Sequence, residues 1–135
     1  MSDVSGTRRV LLIDDEKGVV TALSMLLKAV GYTAFPFTAP AEALNFLENN
    51  LKQTGSTGVD FVLSDLRMPE LDGIEVLKII KEQYTSLPFI LMSGHATAED
   101  QQQAAALGAD GFLSKPFSPE ALHAMVAELN SIGGS

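Results

Sequence analysis

Apolar residues along this chain follow two alternating rhythms. Short unbroken runs such as Leu11-Leu12-Ile13, Phe89-Ile90-Leu91-Met92 and Phe112-Leu113 alternate with stretches in which apolar positions recur every three or four residues. The runs predict buried strands and the spaced positions amphipathic helices. A first strand is expected at 9–13, and Asp14-Asp15-Glu16 then opens a helix carrying Val19, Leu23, Leu26, Leu27 and Val30 until Gly31 stops it. After a short second strand at 32–35, Thr38 and Pro40 start a helix with Ala43, Leu44, Leu47 and Leu51 on one face. Asn49 to Gly58 is polar and ends in Gly55-Ser56-Thr57-Gly58, which predicts a long surface loop remote from any chemistry.

A third strand at 60–64 runs into a turn containing Pro69 and Gly73, and a helix over 74–84 is expected to bury Leu77, Ile80 and Tyr84. Pro88 introduces a fourth strand at 89–92. Thr97 followed by Asp100 forms a capping box for a helix that ends at Leu107-Gly108. The fifth strand is placed at 110–113. Ser118-Pro119-Glu120 then supplies an N-cap, a first-turn proline and an acid ahead of the stripe Leu122, Met125, Val126, Leu129. Strands and helices alternate throughout, with connections too long for hairpins, so right-handed crossovers onto a parallel sheet are the economical arrangement.

At 135 residues the chain is long enough for one domain with one core, expected at 9–130, between a flexible N-terminus at 1–8 and a Gly/Ser tail at 131–135. It has no cysteine, which excludes thiolate metal sites and a cysteine nucleophile. The first residues lack the apolar centre of a signal peptide, and no apolar run is long enough to span a bilayer, so a soluble cytoplasmic protein without membrane association is expected. A net charge of -8 with only scattered Lys and Arg argues against direct binding to nucleic acid.

Four of the expected strands stop at polar residues: Asp14-Asp15 after the first, Asp65 after the third, Ser93-Gly94-His95 after the fourth, and Ser114-Lys115-Pro116 after the fifth. In a parallel sheet all four sets share the carboxyl edge, where open α/β sheets bind ligands. Asp14, Asp15 and Asp65 offer the hard oxygen donors that Mg2+ requires. Asp65 has the chemistry of a nucleophile that forms an acyl phosphate, while the Lys115 ammonium and Ser93 hydroxyl suit phosphoryl oxygens. Each residue also has a plainer reading. Asp14-Asp15 could cap a helix, Asp65 could form a turn, Ser93 could cap, and Lys115, His95 and His123 could simply be solvated.

Taken as an ordered set, Asp14-Asp15, Asp65 with Met68-Pro69 and Asp72-Gly73, Ser93-Gly94, and Lys115-Pro116-Phe117 resemble the receiver domain of bacterial two-component response regulators, from about Arg9 to Leu129. The resemblance implies a flavodoxin-like (βα)5 fold, a doubly wound parallel sheet of five strands in the order 2-1-3-4-5. It implies Asp65 as phosphoacceptor, with Asp15, Asp65 and the Arg67 carbonyl as direct Mg2+ ligands and Asp14 acting through a metal-bound water. Ser93 and Lys115 would bind the phosphoryl group, and the Lys115–Pro116 bond would be cis. Ser93 and Phe112 would form the switch, with Phe112 standing where the family often has Tyr. Arg67 and His95 occupy positions that influence phosphoryl lifetime.

The implied partners are a histidine kinase or phosphotransfer protein, and an output domain, output protein or second copy of the chain engaged through the fourth helix, fifth strand and fifth helix. The chain would then be a signalling module and not an enzyme beyond its own phosphoryl transfer and slow autodephosphorylation. Two other readings fit less well. A phosphohydrolase with an Asp nucleophile commonly has an acid two residues later, where this chain has Arg67, a side chain that does not deprotonate. A flavodoxin-like carrier wants a phosphate-cradling loop after the first strand, where Asp14-Asp15-Glu16 would repel the cofactor.

Overall fold

The computed structural model of the chain describes residues 8–69 and 71–133. Of the terminus expected to be flexible at 1–8, residues 1–7 lie outside them and Arg8 begins the first strand; of the Gly/Ser tail expected at 131–135, residues 131–133 continue the last helix and 134–135 lie outside them. In chain order the elements are β1 (Arg8–Ile13), α1 (Lys17–Ala29), β2 (Tyr32–Phe37), α2 (Pro40–Thr54), β3 (Phe61–Asp65), α3 (Gly73–Gln83), β4 (Phe89–Ser93), α4 (Ala98–Ala106), β5 (Gly111–Ser114) and α5 (Pro119–Gly133). The strands form one sheet in the order β2-β1-β3-β4-β5, every neighbouring pair parallel.

Side chains alternate across each strand, so the sheet builds two cores. Leu11 and Ile13 of β1, Val62 of β3, and Phe89 and Leu91 of β4 pack with Ala43, Leu47, Val76, Leu77, Ile80 and Ala104 of α2, α3 and α4. Val10 and Leu12, Phe61 and Leu63, Ile90 and Met92 face the other way, onto Val20, Leu27, Leu122, Val126 and Leu129 of α1 and α5. Both faces are therefore covered, which explains why the strand sequences are continuous apolar runs. Pairing brings Ile13 beside Ser64, Asp65 beside Met92 and Ser93 beside Ser114, so the carboxyl ends of β1, β3, β4 and β5 are level.

The expected loop at 49–58 is wrong in its first half. Helix α2 continues to Thr54, with Asn49, Lys52 and Gln53 as its solvent face and Lys52 paired to Glu48 at 3.5 Å. What ends it is Gly55, whose φ of 80° suits glycine and whose N–H reaches back to the Leu51 carbonyl. Leu51 lies in this added helical turn and is 42% exposed, so it does not join Ala43 and Leu47 in the core. Tyr84 is likewise only half-buried, because α3 ends at Gln83 and Tyr84 serves as its C-cap. The Thr97–Asp100 capping box forms in both directions, and Ser118 accepts the Ala121 N–H as an N-cap should.

Candidate functional site

The sheet order reverses at β1 and β3: β2 lies beyond one and β4 beyond the other, with α1 packed on one face and α3 on the opposite face. Such a reversal opens a crevice at the carboxyl ends of the two strands. Asp14 and Asp15 follow β1, and Asp65 is the last residue of β3. Each of the three carboxylates offers an oxygen within 4.8 Å of the other two.

The cluster is held by bonds that leave little freedom. Asp14 is fully buried; its Oδ1 accepts the Glu16 N–H at 3.0 Å, and its Oδ2 accepts from Lys115 Nζ at 2.9 Å. This overturns the helix-capping alternative for the acid pair, since Glu16 is the N-cap of α1 and its side chain makes no cap bond. Asp15 is partly exposed. Asp65, 8% exposed, accepts the Leu66 N–H on Oδ1 at 3.0 Å, and Lys115 Nζ stands 3.3 Å from the same oxygen.

Burial pushes the Asp65 carboxyl above its ordinary range, and the Asp14 charge adds to this against the opposing pull of Lys115 and the Leu66 N–H. Burial draws the Lys115 ammonium downward, but its bond to Asp14 and the charges of Asp65 and Asp14 outweigh that and hold it above the usual lysine value. One cation thus spans two acids.

Ser93 ends β4 and is almost fully buried, with its Oγ accepting the His95 N–H at 3.1 Å. Its carbonyl accepts the Lys115 N–H at 2.8 Å, which fixes the β5–α5 loop against β4, and the Lys115–Pro116 bond is cis. The His95 side chain is exposed. Phe112 is half-buried and lines a cavity of about 240 Å³ with Gln101, Ala104, Ala105 and Ala109 of the α4 side. His123 is exposed on α5, its Nδ1 3.3 Å from the Tyr32 hydroxyl at the opposite edge of the sheet.

Three contacts around the site were not foreseen from the sequence. Ser64 donates its hydroxyl to the Asp65 carbonyl at 3.0 Å. Gly73 begins α3 against that same carbonyl, where a Cβ would collide with the Asp65 oxygen. Arg67 extends from the loop after Asp65 to Asp100 at the start of α4, with Nη2 2.7 Å from Oδ2. Asp72-Gly73 and Thr97-Asp100 were recognisable as a turn and a cap, but pattern alone does not reveal what they touch across the fold.

A family model for the response regulator receiver domain matches residues 10–127. The chain belongs to this family. It is 32% identical over 119 residues to the alkaline phosphatase synthesis transcriptional regulatory protein PhoP of Bacillus subtilis, covering 88% of this chain and 47% of that one. It is 32% identical over 112 residues to the response regulator SaeR of Staphylococcus aureus, covering 83% and 46%. The receiver domain therefore spans about half the length of the curated relatives it matches. Among solved structures, the chemotaxis protein CheY4 of Vibrio cholerae superposes with a TM-score of 0.77 at 28% identity, covering 92% of this chain and 99% of that one.

A receiver domain is a signalling module that switches on phosphorylation, and receiver domains in general bind Mg2+. The donor set fits that ion, because Asp14, Asp15 and Asp65 present hard oxygens and two of them already tolerate a cation between them. No helix among the described residues is long and apolar enough to cross a membrane.

Proposed function

We propose that Asp65 is the phosphoacceptor of this receiver domain and that its phosphorylation repacks the face made by α4, β5 and α5. The observation that carries this reading is the near-buried Asp65 carboxylate with Lys115 3.3 Å away and two further acids within 4.8 Å. Among the described residues both side-chain contacts of Asp65 fall on Oδ1, which favours Oδ2 as the atom that attacks phosphorus. A bond forms from Oδ2 to phosphorus as the bond to the donor's nitrogen or oxygen breaks, and the leaving atom keeps the electron pair. Bound Mg2+, held by Asp15, Asp65 and the Arg67 carbonyl with Asp14 acting through a water, would offset charge on the transferring group.

Lys115 offers one phosphoryl oxygen an ammonium donor. The Ser93 hydroxyl accepts from His95 and still has its proton to give to another. That pull on Ser93 is the start of the switch, and Phe112, beside the cavity against α4, is the ring positioned to follow it. Arg67 and His95, each two residues beyond a site residue, Asp65 and Ser93, set how long the acyl phosphate lasts.

The partner that supplies the phosphoryl group is a histidine kinase or phosphotransfer protein. An apolar cavity of about 470 Å³ lined by Gly18, Val19, Ala22 and Leu23 of α1 shares Lys115, Pro116 and Phe117 with the site, and is the surface on which such a donor protein would seat. Output passes to a domain, protein or second copy through α4, β5 and α5. A cytoplasmic location accords with this role.

Amide hydrogen exchange with Mg2+ and a small acyl phosphate tests the switch. Altered protection is expected within residues 93–114, and the same treatment of Ser93→Ala should leave that region unchanged. Changes confined to the neighbourhood of Asp14, Asp15 and Asp65 would instead describe a phosphate sink that does not signal.

A further inference from the structure

We propose that Asp100 is a positioning residue that withholds the Arg67 guanidinium from a phosphoryl group on Asp65, so that phosphorylation and the first turn of α4 compete for one cation. The inference rests on Asp65 being the phosphoacceptor. Arg67 is two residues beyond Asp65, and two residues of chain span at most about 7 Å, within reach of an arginine side chain. Instead of standing free beside the acid cluster, the guanidinium is bound to Asp100 at 2.7 Å, a residue 33 positions away in sequence.

The two partners are held very differently. The Asp100 side chain is only 14% exposed, while that of Arg67 is 62% exposed. Asp100 Oδ2 also accepts the Thr97 N–H at 3.0 Å, and the Asp100 N–H donates to Thr97 Oγ1 at 3.0 Å. The carboxylate is therefore fixed to the helix terminus and cannot follow its partner. Arginine is the movable half.

A phosphoryl group on Asp65 would carry a charge of about -1.5 to -2 against the single charge of Asp100, and it would arise on the loop that bears Arg67. The guanidinium then has a stronger anion within reach, and its departure unties α4 from the β3–α3 loop while leaving the capping box itself intact. Linkage makes the effect reciprocal: a pair present only in the unphosphorylated state disfavours the phosphorylated one by its own strength. For an exposed ion pair this amounts to a factor of about two to five in an equilibrium constant. The pair links the phosphoacceptor loop to a helix of the output face without passing through Ser93 or Phe112.

Asp100→Asn separates charge from capping, because asparagine retains an oxygen for the Thr97 N–H. The probe is beryllofluoride with saturating Mg2+, a mimic of the acyl phosphate, followed by 19F NMR. Asp100→Asn should bind it about two- to fivefold more tightly than the unaltered protein, and the gain should shrink in high salt. In an Arg67→Ala background, Asp100→Asn should change nothing. Unchanged affinity in the single variant, or an equal gain in both backgrounds, would overturn the role assigned to Asp100 while leaving Asp65 as acceptor. Failure of the unaltered protein to bind beryllofluoride would overturn the acceptor assignment and this inference together.

Discussion

Gly73→Ala should lower the free energy of unfolding by about 2–3 kcal/mol and weaken Mg2+ binding in the same protein. A Cβ at this position would run into the Asp65 carbonyl oxygen and stand 2.8 Å from Leu91 Cδ2 and 3.0 Å from Leu66 Cα. Two of those three atoms are backbone, so no change of rotamer relieves the overlap. The requirement is for space and not for unusual torsions, since Gly73 is absent from the glycines with positive φ. Its N–H also donates to the Leu66 carbonyl at 2.7 Å, which joins the first turn of α3 directly to the end of β3.

Because the obstructed atom belongs to Asp65, relief of the clash should displace the carboxylate from Asp14 and Lys115, linking a packing defect to a binding defect. Gly18→Ala is the control: it lies in the first turn of α1 with open space where a Cβ would stand, so helix propensity alone should stabilise, by no more than about 0.5 kcal/mol this close to the helix end. Urea melts and Mg2+ titrations of the two variants check this. Equal behaviour would mean that α3 and β3 do not need the close approach.

Asp65→Asn should stabilise the metal-free protein by about 1 kcal/mol, a gain typical of relieving a functional site. Three carboxylates share one small volume, and two unit charges ~4 Å apart repel by about 4 kcal/mol at an effective dielectric near 20. Lys115 offsets part of this, yet the Asp65 carboxyl remains above its ordinary range. Asp14 is the wrong acid to remove, because it is fully buried with Lys115 at 2.9 Å and its loss would strand the ammonium.

The sign with pH follows. The folded protein keeps the Asp65 proton over a range where the unfolded chain has released it, so stability falls as pH rises from the unfolded value through the raised folded one. Asp100 acts oppositely. The Thr97 N–H, with smaller help from the Thr97 hydroxyl and Arg67, holds its carboxyl below the usual range, and that contribution is lost as pH falls through the folded value. Subtracting the Asp65→Asn profile from that of the unaltered protein isolates the first effect. Mg2+ at a hundred times its dissociation constant should add about 2.7 kcal/mol to the unaltered protein, and much less to the variant. Melting curves indifferent to Mg2+ and lowered by Asp65→Asn would make these acids structural.

Local signals in the sequence were reliable wherever a single residue decides the backbone. Gly31 and Leu107-Gly108 end helices as read, Ser118 caps α5, and the continuous apolar strands announced a sheet covered on both faces. The error at 49–58 came from letting polarity stand for loop. Asn49, Lys52 and Gln53 are polar because α2 shows them to solvent, and only Gly55 carries the stop signal. The carboxyl-edge cluster was legible because parallel strands place their ends together whatever the details of packing.

What pattern could not supply is distance between elements. Arg67 reads as a residue near the acceptor, and its engagement with Asp100 at 2.7 Å depends on where α4 docks. Gly73 reads as a turn glycine, and its pressure on the Asp65 carbonyl depends on how closely α3 approaches β3. Asp14-Asp15 reads equally well as a helix cap until Lys115 arrives from 101 residues away.

Locating the phosphoryl group tests the acceptor assignment most directly. After treatment with Mg2+ and a small acyl phosphate, borohydride reduction converts an aspartyl phosphate to homoserine, which peptide mass spectrometry places in the sequence. Homoserine at position 65, dependent on Mg2+ and absent in Asp65→Asn, is the expected result; homoserine at Asp14 or Asp15, or incorporation that persists in Asp65→Asn, would contradict it.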